Sequence, residues 1–162
     1  MPSLEDDSLR LLSSAGSWRD AWRFKASVTR PLNEKQIVDN VIVKTIKLQH
    51  TLQDRYFEFS RVDALSMERL TSSPYVMGVY NFCGVSVVTE RGVDDIALVA
   101  DKLSSRDKVE MAKKVARSIA AVHEIDATDH QPAALVHNDI NTGNLFLGRK
   151  NTPMLNDFNI AG

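Results

Sequence analysis

The sequence has little of what marks secreted, membrane-spanning or nucleic-acid-binding chains. Its 162 residues include one cysteine, Cys83, so no internal disulfide can form; we expect an intracellular, cytoplasmic setting and a buried Cys83. Its 20 basic and 21 acidic side chains give a net charge of -1, which provides no electrostatic attraction to nucleic acid or to an anionic membrane. No stretch approaches the ~20 apolar residues of a membrane span, and the acidic segment 1–7 has no signal-peptide core.

What is present is an ordinary globular composition. The chain is 43% hydrophobic and 25% charged, which suits one domain or two small lobes. It contains no internal repeat and no low-complexity tract. The pattern of residues changes once, near residue 92, from mixed strand and helix to mainly helix.

Clusters of β-branched and aromatic side chains indicate strands in the first half of the chain. The strands predicted in this way span residues 18–24, 40–46, 75–82 and 85–89. The segment 30–33 is turn-prone and separates the first two strands, while Cys83 and Gly84 form the turn between the last two. The segments 18–24 and 40–46 are therefore expected to belong to one antiparallel meander.

Apolar residues at helical spacing predict two helices. The first runs from Arg55 to Leu70, with its apolar stripe at Phe59, Val62, Leu65, Met67 and Leu70. The second follows the capping residues Ser104 and Ser105 and extends to His123. The predicted fold class is therefore α+β.

The last quarter of the chain carries the most specific polar pattern. Asp139 and Asn144 lie five positions apart in a loop that begins at His137, and Asp157 follows after a short apolar segment. Carboxylate and amide oxygens in this order can hold magnesium and orient a hydroxyl for attack on a nucleotide phosphate. Lys44 ends a run of branched apolar residues, where the strand fixes the direction of its side chain. Lys44 alone is weak support, but the combination predicts kinase chemistry.

In the order and spacing of these motifs the sequence resembles the eukaryotic protein kinase superfamily. The resemblance covers residues 11 to 162 and implies a five-stranded antiparallel small lobe with one long helix in residues 11–92. Residues 93–162 would form the first part of a helical large lobe. The resemblance further implies phosphoryl transfer from Mg-ATP to a protein hydroxyl, with ATP and Mg²⁺ as cofactors and with ATP and a protein substrate as partners.

By this resemblance Lys44 contacts the α- and β-phosphates of the nucleotide. Asp63 falls where the family has a helix glutamate and is the predicted partner of Lys44. Asp is one methylene shorter than Glu, so the pair would need a closer approach of helix to strand. Glu58 and Glu68, on other faces of the helix, are the alternatives.

The resemblance makes residues 137–144 the catalytic loop. Asp139 would accept the proton of, or orient, the attacking hydroxyl, and Asn144 and Asp157 would hold Mg²⁺. Asn141 occupies the position of a lysine that steadies the transferred phosphate. An amide cannot offset developing negative charge, so Asn141→Lys is expected to leave activity unchanged or to raise it, provided that the loop backbone resembles the Ser/Thr kinase form.

Other positions would surround the nucleotide or support the loop. The residues assigned to the nucleotide site are Gly16, Ala21, Ile42, Lys44, Thr89, Glu90, Gly92 and Phe146, with Glu90 and Gly92 acting through their backbones. A hydrophobic column would consist of Phe158, His137, Met67 and Val79.

The segment 14–21 matches the Gly-rich hairpin of the family with substitutions. It keeps Gly16 and Ala21 but has Ser14 and Arg19 in place of two glycines. Arg19 would contact phosphate or face water.

Two alternatives to a protein kinase stay open. One is a small-molecule kinase of the aminoglycoside or choline phosphotransferase type, whose loops also read His-Asn-Asp followed by Gly-Asn. The other is a catalytically inactive nucleotide-binding module. The resemblance ends before the family's activation segment and later helices. The chain is therefore expected to be a fragment in which the helix at 106–123 has a partly exposed apolar face.

Overall fold

A computed structural model of the chain describes residues 9–29, 36–125, 135–148 and 151–162. The chain forms two compact units. Unit 1 comprises Met1–Ser60 and Val79–Arg91, and unit 2 comprises Arg61–Gly78 and Gly92–Gly162. The segment 61–78, predicted from the sequence to lie in the first lobe, belongs to unit 2. The fold class is mixed α+β, as predicted.

Unit 1 contains a five-stranded antiparallel sheet. Its strands are β1 (Leu9–Ser13), β2 (Arg19–Thr29), β3 (Gln36–Ile46), β4 (Val79–Cys83) and β5 (Ser86–Glu90). Their order in the sheet is β1-β2-β3-β5-β4. The central strands β2 and β3 pair over their whole length, from Arg19 opposite Ile46 to Thr29 opposite Gln36.

The four strands predicted from the sequence are present, and β1 is additional. β2 and β3 extend beyond the predicted limits, whereas β4 begins four residues later than predicted. Gly84 has a φ of 57° at the turn between β4 and β5, in the left-handed region that glycine enters without a steric penalty. Cys83, expected to be buried, is exposed at this turn. The predicted turn at 30–33 lies outside the described residues.

Helix α1 (Asp54–Arg69) begins in unit 1 and ends in unit 2. Its most buried residues recur at helical spacing and include polar side chains: Tyr56, Ser60, Asp63, Ala64, Ser66 and Met67. Leu65, predicted to lie on the apolar stripe, is exposed. The buried face is therefore rotated toward Asp63, whose carboxylate has a specific partner described below.

Unit 2 contains two further helices and a small sheet. The elements are β6 (Asp94–Asp95), α2 (Ile96–Ala100), α3 (Ser105–His123), a 3₁₀ turn (Thr142–Asn144), β7 (Leu145–Leu147) and β8 (Pro153–Leu155). The strands form an antiparallel sheet in the order β6-β7-β8. The part of the chain after residue 92 is thus less purely helical than predicted.

Helix α3 begins where the sequence predicts. Ser104 is its N-cap, with Oγ accepting from the Asp107 N–H at 3.2 Å and donating to the Asp107 carboxylate at 2.6 Å. Near the other end, Ser118 Oγ donates to the carbonyl of Pro153 at 2.8 Å and joins the helix to β8. The apolar side of α3 is partly exposed, as predicted, and Val109 is 68% exposed. No helix among the described residues is long and apolar enough to cross a membrane.

Candidate functional site

One face of the sheet in unit 1 carries four of the residues predicted to contact nucleotide. Opposed residues of antiparallel strands point to the same face, as do residues two apart on one strand. Ala21 lies opposite Lys44, Ile42 lies opposite Thr89, and Ile42 and Lys44 are two positions apart. The register therefore places all four side chains on one face.

Lys44 and Thr89 are both buried on this face. Lys44 is 7% exposed and lies next to Val87 on the neighbouring strand, while the Thr89 hydroxyl donates to the Glu90 carbonyl at 3.1 Å. An ammonium removed from water requires a negatively charged or polar partner. The burial of Lys44 distinguishes it from a lysine that only solvates the end of a strand.

The turn between β1 and β2, which contains Gly16, is held by several side chains of unit 1. Lys47 Nζ donates to the Ser14 carbonyl at 2.6 Å, and a ring nitrogen of His50 lies 3.2 Å from the Ser17 carbonyl. Trp18, directly after the turn, stacks on Tyr56 with ring centroids 5.2 Å apart. This hairpin is therefore tied to residues 47–56.

Arg19, at the start of β2, does not face water. Its guanidinium carbon lies 4.5 Å from the centroid of the Trp18 ring, and the residue is 8% exposed. A cation over an indole face is stabilised by the ring quadrupole. The water-facing interpretation of Arg19 is therefore wrong.

In unit 2 the carboxylate of Asp139 accepts hydrogen bonds on both of its oxygens. Asn141 Nδ2 donates to Oδ1 at 2.9 Å, and Asn144 Nδ2 donates to Oδ2 at 2.9 Å. Asn144 also donates to the Asp139 backbone carbonyl at 3.0 Å. The plane of the carboxylate is consequently set by two amides of the same loop.

Asp157 and Phe158 are held by a buried contact with helix α1. The backbone N–H of Phe158 donates to Asp63 Oδ1 at 2.7 Å, although the two residues are 95 positions apart. Asp157 itself has a φ of 67°, in the left-handed region that a residue other than glycine rarely adopts. Strained backbone of this kind concentrates at functional sites and persists only where neighbouring contacts enforce it.

Asn156 joins the loop that contains Asp139 to the segment that contains Asp157. The Asn156 N–H donates to the Asn144 carbonyl at 3.0 Å, and His137 Nε2 lies 2.9 Å from the Asn156 carbonyl. His137 and Phe158 are both buried, with ring centroids 4.4 Å apart. His137 therefore braces the loop within unit 2, as predicted for a residue of the hydrophobic column.

The remaining residues of the predicted column divide between the units. Met67 is fully buried in unit 2, whereas Val79 is half-buried on β4 of unit 1.

Asn138 connects the loop to the end of the chain. It has a φ of 62°, and its Nδ2 donates to the Ile160 carbonyl at 3.0 Å. Val136 and Gly162 form a reciprocal pair of backbone hydrogen bonds at 2.8 and 3.1 Å. The Asn138 side chain thus holds the segment after Asp157.

Gly92 and Phe146, both predicted to border the adenine, lie against one another in unit 2. A Cβ added to Gly92 would lie 2.6 Å from the Phe146 Cβ, closer than side-chain atoms approach. Glycine is therefore required here by the close approach of the Phe146 ring.

The donors near Asp157 suit a magnesium ion that is bound together with a nucleotide. Such an ion takes one or two carboxylates from protein and further oxygens from phosphates and water. Asp157 offers a carboxylate, and the Asn144 amide, whose nitrogen is engaged by Asp139, has an oxygen as its acceptor. Across residues 9–29, 36–125, 135–148 and 151–162, no three His, Cys, Asp or Glu side chains group to hold a metal. Asp157 and the oxygen of Asn144 are the donors that such an ion would use.

The predicted catalytic and metal-binding residues thus fall into two groups, with Lys44 in unit 1 and the other five, Asp63, Asp139, Asn141, Asn144 and Asp157, in unit 2. Within unit 2 they belong to one connected set of hydrogen bonds and backbone neighbours. Asn156, which joins the loop to the segment that contains Asp157, was not predicted because it acts mainly through its backbone.

No family model matches this sequence, and no curated protein is significantly similar to it.

Proposed function

We propose that this chain is a kinase-type phosphotransferase module that uses Mg-ATP and a protein hydroxyl as substrates. The observation that carries the proposal is the connected polar set of unit 2. The Phe158 amide is fixed by Asp63, and both oxygens of Asp139 are fixed by amides. Such prior orientation of a carboxylate is what the positioning of a nucleophile requires.

In the proposed reaction the attacking hydroxyl oxygen forms a bond to the γ-phosphorus of ATP. The bond from that phosphorus to the β–γ bridging oxygen breaks, and ADP leaves with the electron pair. Asp139 accepts the hydrogen bond of the hydroxyl, orients its oxygen and takes its proton as transfer proceeds, and then passes that proton to water. Lys44 would neutralise charge on the α- and β-phosphates.

Magnesium, when bound, would neutralise charge on the β- and γ-phosphates. Asp157 and Asn144 are the residues that would hold it. The left-handed backbone at Asp157 and the adjacent Asp63 contact fix where the Asp157 side chain leaves the chain. Ala21, Ile42 and Thr89 share one face of the sheet in unit 1 and are the residues that would contact the adenine there.

A small-molecule hydroxyl is the second candidate acceptor. It is favoured by Asn138, which takes the position of the arginine found in protein kinases and matches the loop of aminoglycoside and choline phosphotransferases. Transfer from radiolabelled ATP to Ser, Thr or Tyr peptides, compared with transfer to choline or an aminoglycoside, distinguishes the two acceptors. Nucleotide binding without any transfer would support the inactive module instead.

The nucleotide part of the proposal is tested by thermal unfolding with ATP, with and without Mg²⁺. At a nucleotide concentration 100 times Kd the stabilisation should be about 2.7 kcal/mol, or roughly 5–10 °C in Tm. Asp157→Ala should abolish the magnesium-dependent part of the shift. Asp101→Ala, which removes an equal charge from the exposed C-cap residue of α2, should keep it.

Two results would contradict this assignment. An unchanged magnesium-dependent shift in Asp157→Ala would exclude Asp157 as a magnesium ligand. If ATP gave no shift in the folded wild-type chain, the nucleotide-binding proposal itself would fail.

A further inference from the structure

We infer that Asn141 is a positioning residue for Asp139 rather than a weak replacement for a phosphate-binding lysine. Its Nδ2 lies 2.9 Å from Asp139 Oδ1 and 3.3 Å from the Asp139 carbonyl, while its Oδ1 accepts from the Gly143 N–H at 2.8 Å. One side chain thus joins the start of the 3₁₀ turn to the carboxylate. The catalytic meaning of this contact rests on the proposed phosphotransferase function.

The orientation of the Asn141 amide follows from its neighbours. The Gly143 N–H can only donate, and an ionised Asp139 carboxylate can only accept. If the amide were flipped, its oxygen would face the carboxylate and its nitrogen would face the N–H. Both contacts would then be repulsive, so the nitrogen must face Asp139.

The Gly143 contact makes Asn141 the N-cap of the turn Thr142–Asn144, with φ -147° and ψ 168°. Serine, threonine or aspartate could serve as a cap alone, because each supplies an oxygen acceptor. Asparagine adds an NH₂ donor on the same rigid amide. Once the cap fixes the oxygen, the nitrogen has a fixed position beside Asp139.

Asn141 and Asn144 act on different oxygens of Asp139, and their effects are complementary. A single bond to one oxygen would leave the Asp139 side chain able to exchange between χ1 rotamers and to turn about its terminal torsion, which is broad for Asp. Bonds to Oδ1 and Oδ2 together restrict that rotation. Each carboxylate oxygen offers two acceptor sites and uses one of them for an amide. One of the oxygens can therefore also accept a hydrogen bond from the attacking hydroxyl.

The geometry reverses the earlier expectation for Asn141→Lys. Lysine carries three donors and no acceptor, so it cannot cap the Gly143 N–H. Its long stem would also carry the ammonium beyond the place that the short amide occupies. We now expect Asn141→Lys to lower rather than raise phosphoryl transfer.

The test compares three variants of the full 162-residue chain. Asn141→Asp keeps the cap acceptor and removes the donor, whereas Asn141→Ala removes both. Thr142→Ala is the control, because Thr142 is exposed in the same turn and has no side-chain hydrogen bond to Asp139.

The first measurement is the Asp139 χ1 distribution without nucleotide, from NMR three-bond couplings. The second is Mg-ATP affinity and slow hydrolysis of Mg-ATP, with water as the acceptor.

We expect a single Asp139 rotamer in the wild type and in Thr142→Ala, and averaged rotamers in both Asn141 variants. Hydrolysis in the Asn141 variants should fall by about 10²-fold, as for a misplaced catalytic group, with Kd for Mg-ATP within about two-fold. This division between turnover and affinity would not arise if Asn141 only supported the turn.

Two outcomes would overturn the inference. One is a single Asp139 rotamer retained in both Asn141 variants, and the other is a loss of ATP affinity equal to the loss of turnover. If the wild type binds no ATP, the proposed function fails, and the rotamer measurement then decides by itself whether Asn141 positions Asp139.

Discussion

At the scale of single residues, two buried oxygens of the described part of the chain have no hydrogen-bond partner. They are Ser60 Oγ, on the fully buried face of α1, and Asn156 Oδ1. A buried polar atom that loses its bonds to water without replacing them destabilises the fold by about 1–3 kcal/mol. Substitutions that remove these unpaired atoms are therefore expected to raise the free energy of unfolding.

Ser60→Ala should stabilise the chain. The substitution removes the unpaired hydroxyl and places a residue of higher helix propensity in α1. We expect the free energy of unfolding to rise by about 1 kcal/mol, measured by urea denaturation. Ser105→Ala, at an exposed serine that begins α3, is the control and should have little effect. A lower stability of Ser60→Ala than of the wild type would show that the hydroxyl has a favourable contact.

Asn141 shows where residue-level prediction from sequence ends. Its type and its place in the loop identified it as part of the site, and the substitution of an amide for a cation was evident. Its three hydrogen bonds were not predictable, because they depend on the extended backbone of the cap residue and on the turn that follows. The sequence therefore identified the residue, but the effect of a lysine that it predicts differs from the effect inferred from these contacts.

At the scale of elements, the segment 136–138 and the end of the chain form one small assembly in unit 2. Val136 and Gly162 exchange two backbone hydrogen bonds, and Asn138 donates to the Ile160 carbonyl. Ala161 also donates to the Phe158 carbonyl at 2.9 Å, which closes a turn directly after the Asp157 segment. Asn138 is suited to this position because asparagine tolerates the left-handed backbone better than most residues.

Two substitutions separate the roles of the Asn138 backbone and side chain. Asn138→Gly keeps access to a φ of 62° but loses the bond to Ile160, whereas Asn138→Ala loses the bond and adds backbone strain. We expect amide hydrogen exchange at Val136 and Gly162 to quicken in both variants, and more in the alanine variant. Equal exchange in wild type and both variants would mean that the backbone pair is stable without Asn138.

The regular elements were predictable to very different extents. Helix α3 combines a serine cap with a long apolar repeat, and β2 and β3 are long runs of strand-forming residues, so local sequence was sufficient. The strands β6, β7 and β8 have only 2 or 3 residues, too few for an alternating pattern to be detected. Strand β1 is exposed along its whole length and so lacks a buried face to reveal it.

At the scale of the whole chain, the most informative single contact joins positions 95 apart. Asp63 is fully buried in α1 and accepts the Phe158 N–H, so a residue from the first half of the sequence fixes the backbone beside Asp157. The sequence predicts Asp63 as the partner of Lys44, and that pairing stays a prediction. The bond from the Phe158 N–H gives this buried carboxylate a partner within unit 2.

Removal of the Asp63 carboxylate should therefore destabilise the chain more than any surface change. Asp63→Ala leaves the Phe158 N–H without its acceptor, and loss of a bond to a charged group together with the unpaired amide costs about 3 kcal/mol. Asp63→Asn retains an oxygen that can accept from Phe158 and should lose less. Glu68→Ala, at an exposed carboxylate on the same helix, should change stability by at most about 0.5 kcal/mol. Urea denaturation gives the three values, and hydrogen exchange of the Phe158 amide reports the contact directly.

If Asp63→Ala proved as stable as Glu68→Ala, with the Phe158 amide still protected, the bond would not hold the segment that contains Asp157. The left-handed backbone at Asp157 would then have to be maintained by the remaining contacts of the 156–162 segment, among them the bonds of Asn156 to Asn144 and of Asn138 to Ile160.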